Sequence, residues 1–131
     1  MICELYLPFP PTINNYYKKS HHGGRYISEK GRMFRDQVAE AIRDQTPGLF
    51  IDEQVLMEVV LFPPDKRTRD VDNYNKPLLD ALTNAKIWED DCQVDQLFNY
   101  RGEVRKKQGS VYVRIDNAGP IITNVEQLPI E

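Results

Sequence analysis

The run Arg69-Asp70-Val71-Asp72-Asn73-Tyr74-Asn75-Lys76-Pro77-Leu78-Leu79-Asp80-Ala81-Leu82, followed by Glu89-Asp90-Asp91, holds the residues best suited to chemistry. Asp70 and Asp72 stand one residue apart where an extended stretch meets a helix, Lys76 follows four residues later, and acid returns at Asp91. A helix over about 73–85 climbs ~18 Å at 1.5 Å per residue. The next six residues, if extended, run back ~20 Å, so Asp91 is within reach of Asp70 and Asp72.

Three carboxylates at one point repel each other unless a hard divalent cation neutralises them, and oxygen ligands favour Mg²⁺, with Mn²⁺ as a substitute. Such an ion binds a phosphodiester oxygen, lowers the pKa of a bound water and stabilises an in-line displacement. Lys76, one helical turn beyond Asp72, projects from the same face and can orient water or stabilise the pentacovalent phosphate. Structural roles fit some of the same residues. Asp72 is a good helix N-cap, and Lys76 with Asp80 has the spacing of a surface pair. Pro77 lacks a donor and biases Lys76 away from the α region, so the regular helix is expected to start late.

The run R-D-V-D-N-Y-N-K-P-L-L-D-A-L, then I-W-E-D-D-C-Q-V-D, resembles the signature of the RusA-type Holliday junction resolvases, or crossover junction endodeoxyribonucleases. The opening P-F-P-P-T-I-N-N-Y-Y is similar to that family's N-terminus, and the likeness covers about residues 2–116. It implies a small α/β (α+β) homodimer that binds branched DNA, a four-way junction, and nicks two strands symmetrically with Mg²⁺ in recombination and repair. Carried over by position, the essential carboxylates and metal ligands are Asp70, Asp72 and Asp91, and the essential lysine is Lys76. Cys92 stands where a small residue is expected, and Asp95 is left outside the catalytic set.

The expected organisation is one domain over residues 1–116, with a mixed sheet and two main helices, and an unassigned tail over 117–131. At 131 residues and 15.3 kDa the chain can bury one modest core. It has no apolar run long enough to span a membrane and no signal-peptide layout, so a cytoplasmic location is expected. Cys3 and Cys92 lack the spacing of a zinc site and read as small hydrophobes.

The net charge of −3 hides a segregation. Lys18, Lys19, Arg25, Lys30, Arg32 and Arg35 form one basic stretch, and Arg101, Arg105, Lys106 and Lys107 form another. Much of the acid, Asp65 and Asp80 included, lies around the proposed metal centre. The basic stretches read either as solvated loops or as phosphate contacts. The expected DNA contacts are Asn14, Lys18, Lys19, Arg67, Arg69, Lys106 and Lys107, with the tyrosines of the 12–24 loop suited to stacking on unpaired bases. Arg67 and Arg69 are alternatively ion-pair partners for Asp65 and Asp70. His21-His22, beside Gly23-Gly24, has no partner at zinc-ligand spacing.

The elements that must position these groups alternate. Cys3, Leu5 and Leu7 predict a first strand, and residues 12–24 predict a long loop before a short strand at Arg25–Ile27. Ser28 caps a helix with Phe34, Val38, Ala41 and Ile42 inward, stopped by Thr46-Pro47-Gly48. Val55 to Leu61 predicts a central strand. Tyr74, Leu78, Ala81, Leu82 and Ala85 stripe the second helix, and Trp88 anchors the following turn. Val94–Tyr100 and Ser110–Ile115 predict two antiparallel strands joined by a basic hairpin over Arg101–Gly109. Two rival readings keep the same residues. One is a less selective branched-DNA nuclease, and the other a non-catalytic junction-binding protein, which loss of an acidic ligand would mark.

Overall fold

Alternation of apolar and polar residues writes the first strand, β1 (Cys3–Leu7), with Cys3, Leu5 and Leu7 buried and Glu4 and Tyr6 exposed. The computed structural model describes residues 1–129. Strand β4 (Val55–Phe62) buries Val55, Met57, Val59 and Leu61 on one face, and β6 (Ser110–Asn117) buries Val111, Val113 and Ile115. With β5 (Val94–Arg101) they form a mixed four-stranded sheet in the order β1-β6-β4-β5. Only β4 and β5 run parallel. The chain is a single small α+β domain, and β4 has the interior place expected of it.

Two helices cover the inner face. In α2 (Glu29–Gln45), the Ser28 hydroxyl accepts from the Gly31 amide at 3.0 Å, and Phe34, Val38 and Ile42 recur on the buried side. Thr46 closes the helix at its C-terminus. A Cβ on Gly31 would lie 2.6 Å from the Tyr16 carbonyl oxygen, so glycine permits the close approach to the preceding segment. The other helix, α3 (Asn75–Asn84), turns Leu78, Ala81 and Leu82 inward. Gln45 pairs with the backbone of Tyr6 through two bonds of 2.8 Å, which satisfies part of the exposed edge of β1.

Two expectations are corrected. Residues 12–24 are not one loop: they contain a one-turn helix, α1 (Ile13–Tyr16), capped by Thr12, and β2 (Tyr17–Lys19), which pairs antiparallel with β3 (Arg25–Ile27). Tyr16 is fully buried and cannot stack on a base. The second correction concerns β5 and β6, which run antiparallel but are not a hairpin, because β4 lies between them. Their connection instead wraps over the end of β4. Gly102 donates to Leu61 O at 2.7 Å, Arg105 to Pro63 O at 2.7 Å and Lys107 to Pro64 O at 3.2 Å. Gly109, at φ 64°, passes so close that a Cβ would lie 2.7 Å from Phe62 O.

After β6, the Ala118 amide donates to Gln54 O and the Gly119 amide to Gln96 Oε1. A short 3₁₀ turn follows at Val125–Gln127. The last two residues of the expected 117–131 tail lie outside the described residues. Among the described residues no helix is long and apolar enough to cross a membrane.

Candidate active site

The loop leaving β4 delivers the first two carboxylates. Pro63 and Pro64 end the strand, and Asp65 then accepts from the Arg67 amide at 2.9 Å, from Arg67 Nη2 at 3.1 Å and from Arg69 Nη1 at 2.7 Å. These donors hold the Asp65 carboxyl well below the usual carboxylate range, Arg69 contributing most. Arg101 clamps the same loop by donating to the Arg69 carbonyl at 2.6 Å, and the Arg69 guanidinium lies 5.7 Å from the centre of the Phe9 ring. Asp65 therefore builds the loop. It is absorbed by two arginines and does not join the acidic centre expected of it.

Asp70 precedes a 3₁₀ turn, Val71–Tyr74, yet its side chain caps nothing. Asp72 occupies the first turn and is exposed. Among the described residues neither carboxylate is in an ion pair. Tyr74 anchors the turn in the core against Phe9, ring centres 5.0 Å apart. The α-helix begins at Asn75, which places Pro77 third, where a backbone amide has no intrahelical acceptor. The 3₁₀ turn thus absorbs the proline and leaves Lys76 in the first turn of α3.

A second frame delivers Asp91. Trp88 is fully buried and donates its indole N–H to Thr83 Oγ1 at 2.7 Å, tying the following segment to α3. Gln93 is the bracket of the next turn. Its Oε1 accepts from the Glu89 and Asp90 amides at 3.0 and 3.2 Å, while Nε2 donates to the carbonyls of Ile51 and Glu53, each at 3.0 Å. Asp90 is spent as the N-cap of the 3₁₀ turn Asp91–Gln93, leaving Asp91 free to face α3.

Lys76 Nζ lies 3.8 Å from Asp91 Oδ2, their side chains 52% and 30% exposed. Burial pushes the Asp91 carboxyl above the usual range, Asp90 adds to the rise, and Lys76 opposes it. The sequence also places Lys76 four residues before Asp80, but Asp80 is taken by Arg35 of α2. Structure thus brings Lys76 and Asp91 together and sets Asp70 and Asp72 at the start of the same helix. Among the described residues, no three His, Cys, Asp or Glu groups lie close enough to share a metal ion in this conformation. The donor chemistry nonetheless fits a hard divalent cation, because among the described residues the Asp-x-Asp oxygens have no ion-pair partner and Asp91 pairs only with Lys76, at 3.8 Å.

The expected DNA contacts divide between surfaces. Arg67, 82% exposed, and the more enclosed Arg69 line a cleft of about 610 Å³ together with Lys30, Asn15, Asn73 and Asp70. Asn14, Lys18 and Lys19 line a different cleft, of about 490 Å³, with Tyr17, Arg25 and Tyr26. Lys106 and Lys107 are exposed on the connection over β4. His21 and His22 are exposed in the β2–β3 turn. Sequence reasoning offered the ion pairs of Asp65 with Arg67 and Arg69 only as an alternative, missed the bracketing part of Gln93, and did not place Lys30 and Asn15 in the cleft that Asp70 lines.

A family model described as Endodeoxyribonuclease RusA matches residues 8–116, which include both frames of this site. The chain belongs to the RusA endodeoxyribonuclease family. It is 36% identical over 113 residues to a crossover junction endodeoxyribonuclease rusA of Enterobacteria phage HK97, covering 86% of this chain and 92% of that relative. It is 40% identical over 89 residues to the crossover junction endodeoxyribonuclease RusA of Escherichia coli (strain K12), and 42% identical over 89 residues to that of Enterobacteria phage 82. Each alignment spans 67% of this chain and 72% of the relative. Membership in the RusA family makes the chain an endodeoxyribonuclease.

Proposed function

We propose that this protein resolves four-way DNA junctions in recombination and repair, as a homodimer that makes paired, symmetric nicks with Mg²⁺ in the cytoplasm. The observation that carries the reading is the unpaired Asp70-x-Asp72 pair at the start of a helix whose first turn presents Lys76 to Asp91. Asp70, Asp72 and Asp91 would hold the ion, which when bound would polarise the phosphodiester and lower the pKa of a water. Mn²⁺ would serve in its place.

The chain's own groups have separable tasks. The Lys76 ammonium, on a flexible stem, stabilises the charge that builds on the phosphate. Arg67 contacts a backbone phosphate beside the reacting one, while Arg69, more enclosed, supports the cleft wall. Asn14, Lys18, Lys19, Lys106 and Lys107 contact phosphates farther along the arms. Two symmetry-related strands require two equal sites, which a two-fold homodimer supplies.

Purified protein incubated with a synthetic mobile junction, with and without Mg²⁺, tests this function. Mg²⁺-dependent cleavage of the junction is expected. Equal cleavage of linear duplex would instead support a less selective nuclease, and tight binding without cleavage would support a non-catalytic junction binder.

A further inference from the structure

We propose that Arg35 is a positioning residue, which keeps Lys76 directed at Asp91 by occupying the carboxylate that would otherwise capture it. The inference rests on the reading of Lys76 as a catalytic cation. Asp80 stands four residues after Lys76 on α3, the spacing at which a lysine and an acid meet on a helix surface. A lysine there has two acids to choose from, and only one choice leaves it facing Asp91.

The choice is fixed from outside the helix. Arg35 reaches from α2 and donates to Asp80 Oδ2 through Nη2 at 2.6 Å and Nε at 3.0 Å. The buried Tyr16 of α1 donates its hydroxyl to the same oxygen and accepts from Arg35 Nε at 2.7 Å. The Arg35 and Asp80 side chains are 26% and 23% exposed, so the pair is shielded from much of the solvent. Lys76 makes its ion pair with Asp91 instead, at 3.8 Å.

Removing the guanidinium would leave a largely buried carboxylate without its cation, a costly state that a mobile ammonium one turn away can relieve. Lys76 has that freedom, because its side chain is about half exposed. Its capture by Asp80 would withdraw charge from the reacting phosphate without touching the basic clefts. Turnover should suffer, and junction binding should not.

The test is a set of variants assayed under single turnover on a junction in Mg²⁺. Arg35→Met is expected to cut about tenfold more slowly with unchanged junction affinity, the pattern of a lost transition-state interaction. Adding Asp80→Asn removes the competitor and should restore the rate to within about twofold, by the non-additivity expected of a coupled pair. Arg35→Lys, which keeps a cation, should retain most activity. Tyr16→Phe keeps the buried ring and frees one bond to Asp80, so a smaller loss, again restored by Asp80→Asn, is expected even if Arg35→Met fails to fold. A wild-type rate in folded Arg35→Met, or a loss in either background that Asp80→Asn does not restore, would overturn the proposal. Lys76→Ala is run beside them: wild-type cutting there would sink the catalytic reading itself.

Discussion

Lys76 Nζ stands 3.8 Å from Asp91 Oδ2, and this ion pair joins the first turn of α3 to the turn that follows Trp88. That contact connects two separately built frames through α3, the helix that follows the Asp70–Asp72 turn. The first is the 3₁₀ turn carrying Asp70 and Asp72, pinned by Tyr74 and Phe9. The second is the Asp91 turn, pinned by Trp88 and bracketed by Gln93. If the ammonium stabilises the transition state, Lys76→Ala should lose ~10²-fold in cleavage rate, as for removal of one such donor. Junction affinity, measured by gel shift, should change little.

Asp70→Asn, Asp72→Asn and Asp91→Asn should each stop cleavage while junction binding survives, because removing a metal ligand leaves phosphate contacts elsewhere intact. Rate assays across a Mg²⁺ titration check this. Near wild-type cutting by any two of the three variants would remove the metal-centre assignment.

These carboxylates could be picked out in the sequence because an Asp-x-Asp pair, a lysine and a returning acid are a local pattern. Strands β1 and β4 and helix α2 were equally legible, since their periodicity runs for several residues and Ser28 marks a start. Residues 12–24 were not. One turn of helix and three-residue strands are too short to show a period, and Tyr16 is buried among polar neighbours because Asp80 and Arg35 satisfy its hydroxyl. The β5–β6 connection was misread for another reason: the insertion of β4 between two consecutive strands leaves no mark in either. Arg35 reads in the sequence only as one member of a basic stretch, because its role depends on three elements at once.

The basic segments should act through phosphate contacts. Charge reversal at Lys18 and Lys19, or at Lys106 and Lys107, is expected to weaken junction binding and flatten its dependence on salt, since fewer counterions are released. Affinity measured over a range of salt concentrations decides it. Unchanged affinity and slope in both double variants would return these lysines to solvated loops.

The two thiols should behave differently. Burial pushes the Cys3 thiol up to about 11, so at pH 8 its thiolate fraction is only about one in a thousand; desolvation and then Asp90 raise the Cys92 thiol as well, but it is exposed directly after Asp91, where a reagent reaches it. A bulky maleimide is expected to label Cys92, spare Cys3 and block cleavage by crowding the Asp91 turn. Cys92→Ser should remain active and resist the reagent. Mass spectrometry of the labelled protein, paired with a cleavage assay, reads both results.

The central claim is that two equal sites cut a four-way junction together. Mapping the cuts on an end-labelled mobile junction in Mg²⁺, beside sedimentation of the free protein, tests it directly. Paired nicks placed symmetrically across the junction, made by a dimer that cuts linear duplex of the same sequence far less, are the predicted result. Unpaired cuts scattered along all arms, or an active species that is strictly monomeric, would contradict it.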